Sequence, residues 1–152
     1  MSLLIDSYGM HEPLVDFGKS NPVMGTCAGL ILMAKTVHDE RIKSLGFLDI
    51  VVDRNAYGRQ IESATEVVQY TFNSNHKLEL STTLIRAPKI SELGDNLHVI
   101  GKFNESPVAV LSGHHLGLSF HPELDGIDIF HKILFDPDSQ VYYKKLNQAY
   151  AA

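Results

Sequence analysis

Apolar residues at Leu3, Leu4, Pro13, Leu14 and Phe17 predict a helix or a broken pair of turns over residues 1–17. Gly18-Lys19-Ser20-Asn21-Pro22 has the composition of a loop. The short apolar run Pro22-Val23-Met24 ends at Gly25 and predicts a brief buried strand. Leu30, Ile31, Met33 and Ala34 then give residues 29–37 the broad apolar face of a helix. Leu48 to Asp53 is nearly continuous in apolar residues, the pattern of a strand covered on both faces. Glu66–Phe72 alternates with β-branched and aromatic residues, and Leu80–Ile85 follows the polar turn Asn73-Ser74-Asn75-His76. Leu97–Gly101, Val108–Leu111 and Leu116–Phe120 predict three more strands joined by polar turns, an antiparallel meander. Ile127–Phe135 and Val141–Ala149 read as closing helices on either side of Asp136-Pro137-Asp138. Strands and helices alternate at both ends around a hairpin-rich middle, which predicts an α/β fold with a mixed sheet.

Length and charge narrow the picture. The 152 residues contain no repeat and no long linker, so one domain over 1–152 is expected. With 13 Lys+Arg against 18 Asp+Glu, the net charge of −5 argues against nucleic acid or an anionic membrane as partner. No apolar run approaches the roughly 20 residues that span a bilayer. Met1-Ser2-Leu3-Leu4-Ile5 has no basic flank and meets Asp6 at once, unlike a secretory signal. A single cysteine can form neither an internal disulfide nor a Cys-rich zinc site, which favours a cytoplasmic location.

That cysteine carries the chemistry. Gly25-Thr26-Cys27-Ala28-Gly29 lies between the short strand and the apolar helix, a Gly-x-Cys-x-Gly form of the nucleophile elbow. A sharp strand-to-helix turn forces its central residue into a strained backbone, and flanking side chains would clash there. The turn sets the sulfur at a helix N-terminus, where the dipole favours thiolate, with the Ala28 N–H aimed at a developing oxyanion. Of the eight histidines, His11, His38, His76 and His98 read as surface residues, His114-His115 as a solvated turn, and His131 as half-buried in a helix. His121 follows the apolar strand Leu116–Phe120, with Glu123 two residues on. In extended geometry both would project the same way, giving a nucleophile, a base and an orienting carboxylate. A plainer reading of His121-Pro122-Glu123 is a strand terminator beside a solvated glutamate. No third ligand accompanies His121 and Glu123, so no metal site is expected.

Four segments occur in one order: Gly25-Thr26-Cys27-Ala28-Gly29-Leu30-Ile31-Leu32, Arg54-Asn55-Ala56-Tyr57-Gly58-Arg59-Gln60, Ile85-Arg86-Ala87-Pro88 and Ser119-Phe120-His121-Pro122-Glu123-Leu124. Together they resemble the triad-type (class I) glutamine amidotransferases, and within them the glutaminase subunits of pyridoxal 5′-phosphate synthase. The resemblance implies a flavodoxin-like α/β fold with a mixed sheet flanked by helices. It implies that Cys27 attacks the side-chain amide of L-glutamine, that His121 acts as acid and base, and that Glu123 holds its tautomer. It assigns glutamine binding to Arg54, Arg86 and the backbone at Ile85, a role that suits a carboxylate-bearing substrate. From the residues alone, each arginine reads rather as a surface ion pair worth little. Asn55, Tyr57 and Gln60 receive no role, and Gly58 only a turn. The implied partner is the synthase subunit that takes the ammonia into pyridoxal phosphate, with no metal or organic cofactor held by the glutaminase itself.

Members of that family begin with further strands leading to a Gly-Gly-Glu-Ser loop, which supplies the other half of the oxyanion hole. Nothing like that loop stands in this sequence, and Met1-Ser2-Leu3 would align just beyond it. The expectation is a single glutaminase domain without those N-terminal strands, a unit of roughly thirty to fifty residues, and little activity by itself. Two other readings compete. One is a catalytically weak chain that binds or regulates the synthase; the other is a different cysteine hydrolase on the same scaffold.

Overall fold

A computed structural model describes residues 1–54 and 64–151. The first eighteen residues form a broken pair, α1 (Ser2–Ser7) and α2 (His11–Gly18), separated where Gly9 takes a positive φ of 62°. Next come β1 (Val23–Thr26), α3 (Ala28–Met33), β2 (Ala34–Val37), β3 (Leu48–Asp53), β4 (Ala64–Thr71), β5 (Lys77–Leu84) and β6 (Lys89–Leu93). The chain closes with β7 (His98–Phe103), β8 (Ser106–Ser112), β9 (His115–Leu118), a 3₁₀ turn (Pro122–Asp125), α4 (Ile129–Phe135) and α5 (Tyr143–Ala151).

Two sheets result. A six-stranded sheet runs β1-β9-β8-β7-β4-β5, and a three-stranded one runs β2-β3-β6. β7, β8 and β9 form the antiparallel meander, while β1 joins β9 in parallel, so the larger sheet is mixed. β8 sits inside this sheet with both faces covered. Ala109 and Leu111 belong to a core with Phe130, Ile133 and Leu134 of α4 and Leu146 of α5. Val110 belongs to a second core with Leu30 of α3 and Leu48, Ile50 and Val52 of β3. The architecture is therefore α/β, a mixed sheet flanked by helices.

Close approach of α3 to the sheet requires Gly117 of β9. A Cβ there would lie 2.5 Å from Leu30 Cδ1 and 2.6 Å from Leu48 Cδ1. The second core exists in this form because position 117 has no side chain.

Three expectations change. The helix over 29–37 ends at Met33, and Ala34 turns extended with ψ of 149°. Residues 34–37 instead pair in parallel with β3, aided by Lys35 Nζ on Asp49 Oδ1 at 2.8 Å. The apolar run Leu30–Ala34 does not mark where the helix ends, and the β-branched Thr36 and Val37 suit a strand. β3 is covered on one face only, because Leu48, Ile50 and Val52 are buried while Asp49, Val51 and Asp53 are half-exposed. β6 escaped the apolar pattern because Ile90 is its one buried residue; it is held by antiparallel pairing to β3.

Candidate active site

Cys27 is the residue at which β1 becomes α3. Its φ of 48° and ψ of −105° lie where side-chain-bearing residues rarely sit, a conformation costing about 1–3 kcal/mol. Two backbone bonds hold it: Cys27 N–H donates to the Leu118 carbonyl at 2.9 Å, and the Cys27 carbonyl accepts from Ile31 N–H at 3.3 Å. The tight turn explains Gly25, where a Cβ would stand 2.7 Å from the carbonyl carbon and oxygen of Gly29. Gly29 is a different case, since a Cβ there meets open space outside its own helix. Only the first of the two flanking glycines is a steric requirement.

The partner side chains leave from the adjacent strand. Thr26 pairs with Leu118 in the parallel β1–β9 register, so Cys27 and the segment leading to His121 emerge at the same end. Ser119 and Phe120 are buried and anchor that segment. His121 Nδ1 lies 2.7 Å from Glu123 Oε1. A carboxylate only accepts, so Nδ1 carries the proton and Nε2 keeps its lone pair, the tautomer a general base needs. The pairing does not come from strand alternation as expected. His121 is extended, but Pro122 opens a 3₁₀ turn whose Leu124 N–H returns to the His121 carbonyl at 3.2 Å. The turn folds Glu123 back onto the imidazole.

The electrostatics also depart from expectation. Burial pushes the half-buried Cys27 thiol above its ordinary pKa, the Ala28 N–H pulls it back, and the Glu123 carboxylate adds to the rise. The short helix does not deliver a standing thiolate, so a base must take the proton. Burial also acts to raise Glu123, but its own backbone N–H and the His121 imidazole outweigh it and leave the carboxyl below its ordinary value. Glu123 is therefore ionised at neutral pH.

Ala28 opens onto a cavity of about 370 Å³ that it lines together with Ile31, Leu32, Ile42, Arg41 and Arg54. Arg54 Nη1 reaches Asp39 Oδ2 at 3.2 Å, and Arg41 grips the same carboxylate with Nε at 2.8 Å and Nη2 at 2.7 Å. The arginines hold the Asp39 carboxyl far below the usual carboxylate range. Asp39 had no signature in the sequence; its side chain is only 10% exposed and it fixes an arginine fifteen positions away. Ile85 and Arg86 stand on a separate segment between β5 and β6. Both are exposed, neither lines that cavity, and Arg86 has a positive φ of 43°. Asn55, Tyr57, Gly58 and Gln60 lie outside the described residues.

Several histidines are more engaged than expected. His114 and His115 both direct Nε2 to the Gly18 carbonyl, at 2.9 and 2.8 Å, and His115 stacks on Phe47. His98 stacks on Tyr150, and His11 Nε2 contacts the Ser44 carbonyl at 3.0 Å. His131 is exposed rather than half-buried. Among the described residues, no cluster of three His, Cys, Asp or Glu is placed to hold a metal, and no helix is long and apolar enough to cross a membrane.

The sequence pattern of the SNO glutamine amidotransferase family matches residues 1–136. The chain belongs to this family. It is 45% identical over 125 residues to the pyridoxal 5′-phosphate synthase subunit PdxT of Shouchella clausii, covering 82% of this chain and 63% of that protein. With PdxT of Halalkalibacterium halodurans the identity is 44% over 134 residues, covering 87% of this chain and 66% of that protein. The chain thus spans a little under two thirds of the length of these two SNO-family relatives. A crystal structure of a glutamine amidotransferase superposes with a TM-score of 0.76 at 31% identity, over 97% of this chain and 72% of that one. A glutamine amidotransferase from Thermotoga maritima shares the fold at a TM-score of 0.53 and 15% identity, over 99% of this chain and 70% of that one.

Proposed function

We propose that this chain supplies the glutaminase chemistry of a pyridoxal 5′-phosphate synthase. The observation that carries the reading is the strained Cys27 elbow at the same end of the β1–β9 pair as the His121–Glu123 pair, in a chain of a glutamine amidotransferase family. His121 Nε2 takes the thiol proton, and the Cys27 sulfur attacks the side-chain amide carbon of L-glutamine. The Ala28 N–H faces the oxygen on which negative charge then develops. His121 returns the proton to the departing nitrogen, ammonia leaves, and a glutamyl thioester remains. His121 next draws a proton from water, whose hydroxide cleaves the thioester to glutamate and restores the thiol. Glu123 stabilises the imidazolium formed in each half-reaction.

Arg54, Arg86 and the Ile85 backbone bind the amino-acid end of glutamine. Arg54 is suited to this because its guanidinium has several N–H groups in a fixed fork and gives one of them to Asp39, a geometry that suits a carboxylate. The ammonia passes to a synthase subunit, the partner implied by the names of the PdxT relatives. The lone cysteine suits a cytoplasmic enzyme.

The test is covalent labelling with 6-diazo-5-oxo-norleucine, a glutamine-shaped electrophile, on the chain mixed with its synthase partner. Labelling is expected at Cys27, slowed by glutamine and absent in Cys27→Ser. Labelling that glutamine leaves unaffected, or that persists in Cys27→Ser, would overturn the reading.

A further inference from the structure

The His121–Glu123 turn is tied to the distant strand β5 by one side chain. Asp125, the last residue of the 3₁₀ turn, accepts the Thr83 backbone N–H at 2.7 Å on one oxygen and the Thr83 hydroxyl at 2.6 Å on the other. The hydroxyl proton of Thr83 is thereby committed to the carboxylate. The 3.0 Å contact between Thr65 and Thr83 hydroxyls must then run as donation from Thr65. A directed chain results, from Thr65 through Thr83 to Asp125.

The placement of this clamp gives it meaning. Asp125 is two residues beyond Glu123, and Thr83 is two residues before Ile85. Among the described residues β5 pairs with β4 alone, the outermost position of the larger sheet. Past Leu84 the chain leaves that sheet for β6. Ile85 and Arg86 are exposed on the way, and Ala87 and Pro88 are buried. The Ile85–Arg86 step therefore hangs between two fixed points: the Asp125 clamp on one side and the buried Ala87-Pro88 on the other.

We infer that Asp125 is a positioning residue for glutamine, fixing the distance between the Ile85–Arg86 segment and the His121–Glu123 turn. This rests on the proposed role of Ile85 and Arg86 in binding the amino-acid end of the substrate. With that end held at Arg86 and the amide at Cys27, the spacing between the two decides whether the amide carbon reaches the sulfur. Charge-assisted bonds of this length are strong enough for their loss to matter.

The experiment compares two electrophiles at Cys27, with the chain together with its synthase partner. Iodoacetamide needs no amino-acid grip, whereas 6-diazo-5-oxo-norleucine does. In Asp125→Ala, inactivation by the glutamine mimic should slow about tenfold and the KM for glutamine should rise about tenfold. Iodoacetamide alkylation should stay within about twofold of the parent. Asp125→Asn, which keeps one accepting oxygen, and Thr83→Val, which keeps the backbone donor, should fall between. Adding Thr83→Val to Asp125→Ala should cost nothing more. If Asp125→Ala folds poorly, the two milder variants carry the same comparison. Equal slowing of both electrophiles, or an unchanged KM, would overturn the inference while leaving the glutaminase reading intact. Absence of glutamine-protected labelling in the parent chain would overturn both.

Discussion

The two halves of the site are built by different means. The half proposed to react, Cys27 with His121 and Glu123, stands at the ends of the paired strands β1 and β9, next to closely packed backbone. Gly25 leaves no room for a Cβ beside the Gly29 carbonyl, the Cys27 N–H is bonded to the Leu118 carbonyl, and Phe120, next to His121, is fully buried. The half proposed to grip the substrate, Arg54 with Ile85 and Arg86, lies on exposed connections and is held by carboxylates: Asp39 for Arg54, Asp125 for the end of β5. Bond making tolerates little displacement, and the half-buried Cys27 and His121 are anchored by buried neighbours such as Phe120. Recognition of a charged end group is assigned to side-chain contacts at the rim, where each bond can be removed without collapsing the fold.

The largest expected effect comes from breaking the packed half. Gly25→Ala should lower unfolding free energy by about 2–3 kcal/mol, since neither the Gly29 backbone nor the strained Cys27 can move aside. Denaturant titration measures the loss, and glutamine hydrolysis should fall with it. Wild-type stability in this variant would mean that the elbow is far more pliable than its contacts imply.

Breaking the rim should give the opposite signature. Asp39→Asn keeps the shape of the carboxylate and one accepting oxygen while weakening the hold on the exposed Arg54 and Arg41, so the melting temperature should change little. The KM for glutamine should rise about three- to fivefold with kcat nearly constant, as expected when binding alone is lost. A fall in kcat at constant KM would erase the distinction between the halves.

The smallest effect concerns protonation. Because burial and Glu123 both raise the Cys27 thiol pKa, alkylation by iodoacetamide should climb with pH to a midpoint above that of an ordinary thiol. Glu123→Gln removes a negative charge near the sulfur and should move the midpoint down by a few tenths of a unit. A midpoint below the ordinary thiol value would show that the Ala28 N–H outweighs burial.

How much of this was legible follows from how local each feature is. The Gly-x-Cys-x-Gly elbow shows in five consecutive residues because its sterics act within them. His121 and Glu123 were readable as neighbours, but Pro122 turns the chain, so their geometry was not. β2 was hidden because a four-residue strand with one buried residue, Ala34, follows a buried helix with no turn residue between them. Asp39 and Asp125 left no trace, since their partners Arg54 and Thr83 are fifteen and forty-two positions away. The His114-His115 turn, expected to be solvated, is a half-buried joint on Gly18, a contact ninety-six and ninety-seven residues distant.

Gly117 carries one more consequence. It lies among aliphatic side chains, and its own contacts are Leu30, Leu48 and Val110. Yet α3 rests on it, and the first residue of α3 is Ala28. Any side chain at 117 would lift the helix and drag the Ala28 amide off its aim. In a saturation screen selected for growth on this activity, position 117 should behave like a member of the catalytic set, though it touches no reactant. Intolerance there would report a length constraint on the scaffold, one that a search for polar or charged residues passes over.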